Sequence, residues 1–184
     1  MIELHRVGKA FDGKTVLRAL DWRVEAGQCW QITGASGIGK TTLLRLVSGL
    51  ETPDSGTVCA EGVRFCPVFQ EDRLVEAWSA VQNVRLVCAD PAQTEAILTA
   101  LLPTDALHQP VRTLSGGMRR RVSLARALAA QGDVLLLDEP FAGLDTQTTA
   151  AAAAVLRRWR GKRAVLLVSH GTEHLFSDWQ KLTL

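Results

Sequence analysis

A short apolar run, Cys29–Thr33, gives way to Gly34-Ala35-Ser36-Gly37-Ile38-Gly39-Lys40-Thr41-Thr42, and helical spacing at Leu43, Leu44, Val47 and Leu50 begins directly after it. No other feature restricts the fold of this chain so tightly. Gly34 to Thr41 match G-x-x-x-x-G-K-[ST] and stand between a buried strand and a helix, where a phosphate-cradling loop has to stand. Glycines let the backbone curl until several N–H groups face one anion, and the following helix adds its positive N-terminal end. Lys40 supplies a point charge for β- and γ-phosphates, and the Thr41 hydroxyl suits Mg²⁺. An ordinary glycine-rich turn requires neither the motif nor the strand and helix on its flanks. The pattern predicts a nucleoside triphosphate site.

Val134-Leu135-Leu136-Leu137-Asp138-Glu139-Pro140 narrows the chemistry. A buried strand ending in two acids sets carboxylates at the carboxyl edge of a sheet, where open α/β folds bind ligands. Asp138 is the candidate for the Mg²⁺ shell, and Glu139 for accepting a proton from attacking water. No Asn-Lys-x-Asp element points to guanine.

Along the chain, strand and helix patterns alternate. Ile2–Val7 and Val16–Val24 alternate apolar and polar residues, as half-buried strands do. Thr52–Gly56 reads as a turn, and residues 71–112 are more helical, broken by Pro91, Pro103 and Pro110. A helix over Gly116–Ala130, a buried strand at Val134–Leu137, an Ala-rich helix over Thr146–Arg158, a buried strand at Ala164–Val168 and a short final segment follow. Strands apolar throughout, separated by helices, imply an α/β fold with a mainly parallel sheet covered on both faces, and the alternating N-terminal strands imply an antiparallel annex.

Composition sets the remaining bounds. With 184 residues, 47% of them hydrophobic, the chain is long enough to bury one core. A net charge of +2 argues against a dedicated nucleic-acid binder. No apolar stretch approaches a membrane span, and Met1-Ile2-Glu3-Leu4-His5-Arg6 lacks the layout of a signal peptide, so a soluble, cytoplasmic protein is expected. The four cysteines (Cys29, Cys59, Cys66, Cys88) include no Cys-x-x-Cys pair and read as small buried hydrophobes. The Arg119-Arg120-Arg121 run reads as solvated or packed rather than nucleic-acid binding, and the basic cluster from Arg157 to Arg163 as a helix C-terminus favoured by its dipole.

Leu114-Ser115-Gly116-Gly117-Met118, followed by Arg119-Arg120-Arg121-Val122-Ser123-Leu124-Ala125-Arg126-Ala127-Leu128, resembles the signature motif of ATP-binding cassette (ABC) ATPases. The resemblance covers nearly the whole chain in the family's order: Walker A, the Q-loop at Phe69-Gln70, the signature, Walker B, the D-loop at Phe141-Ala142-Gly143-Leu144-Asp145 and the switch histidine in Val168-Ser169-His170. It implies a P-loop NTPase (RecA-like) core at 1–70 and 114–184, with an inserted helical subdomain at 71–113, in a single cassette of 1–184. It further implies Glu139, His170 and Gln70 as catalytic residues. ATP is expected to contact Phe11, Gly34, Ala35, Ser36, Gly37, Ile38, Gly39, Lys40, Thr41, Thr42, Ser115, Gly116, Gly117 and Asp145, with Mg²⁺ held by Thr41, Gln70 and Asp138, partly through water.

The chain has no Tyr, so another ring must stack on adenine. The separation of Phe11 from Lys40 is typical of the family's adenine-stacking residue, and Trp22 is the reserve candidate. Ser115 beside two glycines at a helix start is a second anion site, yet there is only one Walker A. In the family two cassettes pack head to tail, so a second ABC subunit, by expectation a second copy, is implied. Phe69–Leu74 and Trp78–Val84 are most similar to importer cassettes of the nitrate, sulfonate and taurine type. That resemblance implies a separate transmembrane permease, a solute-binding protein in the same system and a peripheral location on the inner face of the membrane. An ABC ATPase without a permease, as in iron–sulfur assembly, is the alternative.

Overall fold

The computed structural model describes residues 1–184. β1 (Ile2–Phe11) and β2 (Lys14–Val24) pair antiparallel, with Ile2 opposite Val24 and Phe11 opposite Lys14. β3 (Cys29–Thr33) runs into the glycine loop and α1 (Lys40–Val47), which buries Leu43, Leu44, Leu46 and Val47. β4 (Ser55–Cys59) returns to β1, and β5 (Phe65–Val68) enters a second sheet. α2 (Ala80–Arg85) starts at a reciprocal capping box between Ser79 and Gln82. α3 (Pro91–Leu101) is capped by Asp90, which accepts from the Ala92 and Gln93 amides. α4 (Gly116–Ala129), β6 (Val134–Asp138), α5 (Thr146–Trp159), β7 (Ala164–Val168) and β8 (Gln180–Thr183) complete the chain.

The strand orders are β2-β1-β4 in the antiparallel sheet and β5-β6-β7-β3-β8 in the other, where every pair is parallel. Because side chains alternate across a strand, β6 and β7 feed two cores at once. Leu135, Leu137, Val165 and Leu167 pack with α2, α3, α4 and α5 through Val84, Ile97, Leu98, Val122, Leu128 and Leu156. On the opposite face Val134, Leu136, Leu166 and Val168 meet α1 and the antiparallel sheet, through Leu43, Leu46, Leu4 and Trp22.

Several details depart from the sequence reading. Pro91 begins a helix rather than breaking one, since the first position of a helix needs no amide donor. The turn after Thr52 is shorter than expected, because β4 already starts at Ser55. β5 and β8 were not legible: both are four-residue edge strands, and β5 contains Pro67, which an edge tolerates. Cys29, Cys66 and Cys88 are buried as expected, whereas Cys59 is exposed. No helix is long and apolar enough to cross a membrane.

The basic cluster after α5 is less uniform than its sequence suggests. Arg157 pairs with Asp178, while Arg163 turns inward. Its guanidinium donates to the carbonyls of Ala127 (3.3 Å), Ala130 (3.1 Å) and Leu128 (3.0 Å) at the end of α4, and to Trp159 (2.5 Å) and Arg160 (2.8 Å) at the end of α5. One side chain thereby caps two helices. Arg163→Ala should lower the unfolding free energy by roughly 2–3 kcal/mol, the scale of charge-assisted bonds to half-buried carbonyls. Urea titration checks this, with the slope expected to stay at its wild-type value.

Candidate functional site

β3, β5, β6 and β7 run in one direction, so the segments that follow them leave the same sheet edge. β7 lies between β3 and β6, with Val168 registered against both Ile32 and Asp138. The loop from Gly34, the Phe69-Gln70 pair, the Asp138-Glu139 pair and the Ser169-His170 pair consequently converge, as ligand sites do at the carboxyl edge of open α/β sheets.

The loop itself is built by conformation. Gly34, Gly37 and Gly39 have φ of 143°, 74° and 120°, values that side-chain-bearing residues seldom adopt. Gly39 caps α1 without a side-chain bond, and no acid sits in the first turn, so the amide end faces outward unneutralised. Lys40 is 6% exposed, and its ammonium donates to the carbonyls of Gly34 (2.8 Å) and Ala35 (2.9 Å). Phe11, by contrast, is 43% exposed at the rim of a cleft shared with Ser36, Lys40, Thr41, Thr42 and His170. Trp22 does not reach that cleft. It is 7% exposed and packs edge-on against Trp30 at 5.4 Å, because β2 directs it into the core between the sheets. The structure removes it as the reserve adenine partner.

Asp138 is buried and its Oδ1 has no hydrogen-bond partner. Burial pushes its carboxyl above the usual range, while the Thr41 hydroxyl, Arg120 and Lys40 pull it back. An orphaned carboxylate oxygen beside a hydroxyl fits a small hard cation that prefers oxygen ligands. Burial also raises Glu139, against the opposing pull of His170, whose Nε2 lies 3.4 Å from Glu139 Oε1. Gln70 is exposed between this cleft and a groove lined by Thr41, Arg45 and Arg73.

A second anion-facing element opens elsewhere. Ser115 caps α4 by accepting from the Met118 amide (3.2 Å), and Gly116 and Gly117 follow with no acid in the first turn. Their cleft is shared with Ala142, Gly143 and Asp145 and includes neither Lys40 nor Glu139. Asp145 caps α5, accepting from the Thr148 amide (2.8 Å) and hydroxyl (2.7 Å), which holds its carboxyl below the usual range. Arg120 lines the floor of this second cleft, and the sequence did not single it out: nothing in a run of three arginines marks the middle one as 4% exposed.

Residues 17–142 match the sequence profile of the family described as ABC transporter. An aliphatic sulfonates import ATP-binding protein of Rhodococcus jostii is 40% identical over 182 residues, covering 94% of this chain and 74% of that protein. An Fe(3+) ions import ATP-binding protein of Pectobacterium atrosepticum is 39% identical over 171 residues, covering 82% of this chain and 49% of that protein. In fold, the chain superposes on a dimeric ATP-binding cassette in a post-hydrolysis state bound to ADP and Pi, with a TM-score of 0.88 at 24% identity over 100% of this chain and 94% of the other.

The loop glycines differ sharply in the space around them. A Cβ on Gly39 would lie 2.4 Å from Val16 Cγ1, whereas one on Gly37 would meet nothing within 4 Å. Gly39→Ala combines a clash with an unfavourable φ and should cost about 2–4 kcal/mol; Gly37→Ala carries only the backbone strain, about 1 kcal/mol. Parallel urea titrations of the two variants measure the gap, and equal losses would contradict this packing.

Proposed function

Because the chain belongs to the ABC transporter family and is an ATP-binding ATPase, we propose that it hydrolyses ATP as half of a head-to-tail dimer and powers a separate membrane permease that imports a small solute. Lys40 and the amides of residues 34–42 hold the β- and γ-phosphates, and Phe11 stacks on adenine. Thr41 and Asp138, with Gln70 through water, hold Mg²⁺, which when bound neutralises charge developing on the phosphates. Glu139 takes the proton of the attacking water. His170, 3.4 Å away, keeps that carboxylate aimed and contacts the γ-phosphate.

The observation that supports a dimer is that the two clefts have different linings and meet only at Gln70. Lys40 and Glu139 line one, Ser115 to Gly117 line another, and only the first contains a phosphate loop. A second subunit turned head to tail brings its Ser115–Gly117 amides to the γ-phosphate held by Lys40, with Asp145 alongside. The groove by Thr41, Arg45, Gln70 and Arg73, continued by the exposed side chains of Val75 and Trp78, is the surface offered to the permease on the inner face of the membrane. Sulfonate and iron import relatives match at similar identity, which supports an importer whose cargo is selected by the permease and a solute-binding protein.

Phe11→Ala should weaken ATP about tenfold, the scale of one lost base stack, while leaving inorganic tripolyphosphate unchanged. Calorimetric titration of both ligands separates stacking from a general loss of fold. Equal weakening of the two would remove Phe11 from the site.

Glu139→Gln keeps the reach of the side chain but loses its proton affinity, so turnover should fall on the order of a hundredfold or more. ATP then persists at the interface and acts as its glue. The variant should elute as a dimer with ATP and as a monomer with ADP in size-exclusion chromatography with light scattering. Adding Ser115→Arg should abolish the dimer without touching the phosphate loop. A Glu139→Gln protein that binds ATP yet stays monomeric at saturation would overturn the dimeric reading. Co-purification from membranes with a multi-span partner tests the permease, and recovery free of membranes would favour an ATPase without one.

A further inference from the structure

Arg120 projects from the first turns of α4 onto the adjacent ends of the paired strands β5 and β6, where it is 4% exposed. All of its bonds go to the two segments that leave those strands. On one side Nε donates to the Glu139 carbonyl (2.8 Å) and Nη2 to the Asp138 carbonyl. On the other, Nη1 donates to the carbonyls of Phe69 and Gln70 (3.2 Å to the latter) and pairs with Asp72 at 3.3 Å. A guanidinium is the one side chain whose planar fork can hold acceptors on two loops together.

The turn it grips is strained. Glu139 has φ of 51°, a left-handed conformation unusual for a residue with a side chain, and Pro140 follows it. Such a conformation persists only where the surroundings over-determine it. The Glu139 amide donates to Val168 (2.8 Å), and its carbonyl accepts from Ala142 (3.1 Å) as well as from Arg120. The side-chain contribution to this frame comes from Arg120, which holds the carbonyls of both residues that flank the Asp138–Glu139 peptide.

We propose that Arg120 is a positioning residue for hydrolysis: it fixes the left-handed turn that aims the Glu139 carboxylate and ties that turn to the Gln70 loop. The inference rests on the reading of Glu139 as the proton acceptor. It also makes α4, which Ser115 caps, a rigid link between the anion cradle at its N-terminus and the acid that acts in the other cleft.

Arg120→Lys keeps the cation but lacks the fork, since one ammonium cannot reach carbonyls on both loops. Single-turnover hydrolysis should fall by roughly ten- to a hundredfold, with ATP affinity held within about threefold. Hydrogen–deuterium exchange should quicken in peptides covering 66–74 and 136–144 and nowhere in the core. Because Arg120 acts through Glu139, Arg120→Lys should change turnover by less than about twofold in a Glu139→Gln background, where independent effects would multiply. Should Arg120→Lys not accumulate, Asp72→Asn loosens the same guanidinium from a partly exposed partner; it should lower turnover about threefold and quicken exchange in the same two peptides. Wild-type turnover in Arg120→Lys, a full additional loss in the Glu139→Gln background, or an Asp72→Asn protein indistinguishable from wild type when it has to stand in, would each overturn the inference. Glu139→Gln that retains turnover would instead overturn the reading beneath it, so the two failures are told apart.

Discussion

Hydrogen bonding between parallel strands carries β3, β5, β6 and β7 in one direction, so the chain must leave all four at a single edge. Val168 opposite both Ile32 and Asp138 then sets the start of the glycine loop, the acid pair and His170 within reach of one another. A register slip of one residue in β7 would turn Leu166 and Leu167 to the wrong cores and carry His170 away from Glu139. The apolar packing that stabilises the sheet and the geometry of the site are therefore set by the same pairing.

Around that edge, arginines on α4 perform the joining usually done by apolar contacts. Arg120 holds the segments after β5 and β6, Arg121 reaches the Leu101 carbonyl (2.6 Å) at the end of α3, and Arg126 reaches the Arg73 carbonyl (2.8 Å). Backbone carbonyls, unlike carboxylates, bring no charge of their own into the interior, and each would otherwise need another donor. Irregular chain such as residues 69–75, which commits little more than Leu74 to the core, can in this way lie against a helix.

Much of the edge was legible in sequence, because the loop and the acids each end an apolar run whose meaning is local, while the histidine came from the family resemblance. β3 and β7 have the bounds that their apolar runs imply, and β6 extends by only Asp138. The four-residue strands were not legible, since β5 and β8 owe their form to a neighbour rather than to their own pattern. In sequence Phe11 is preferred to Trp22 only for its separation from Lys40; strand direction sets the two rings apart, one at a cleft rim and the other between sheets. Arg120 could not be told from its neighbours because its acceptors, Asp72 apart, are carbonyls, which every residue has.

The contacts of Lys40 with Gly34 and Ala35 have a thermodynamic consequence. On the proposed reading, a polyphosphate enters a loop whose central cation is already satisfied, so association is an exchange of acceptors rather than the capture of a bare charge. The enthalpy released at Lys40 is accordingly the difference between two sets of bonds, and smaller than that of the new bonds alone. What the loop keeps in return is its shape: an ammonium tethered to two carbonyls holds the backbone in place, and little ordering is left for the moment of binding.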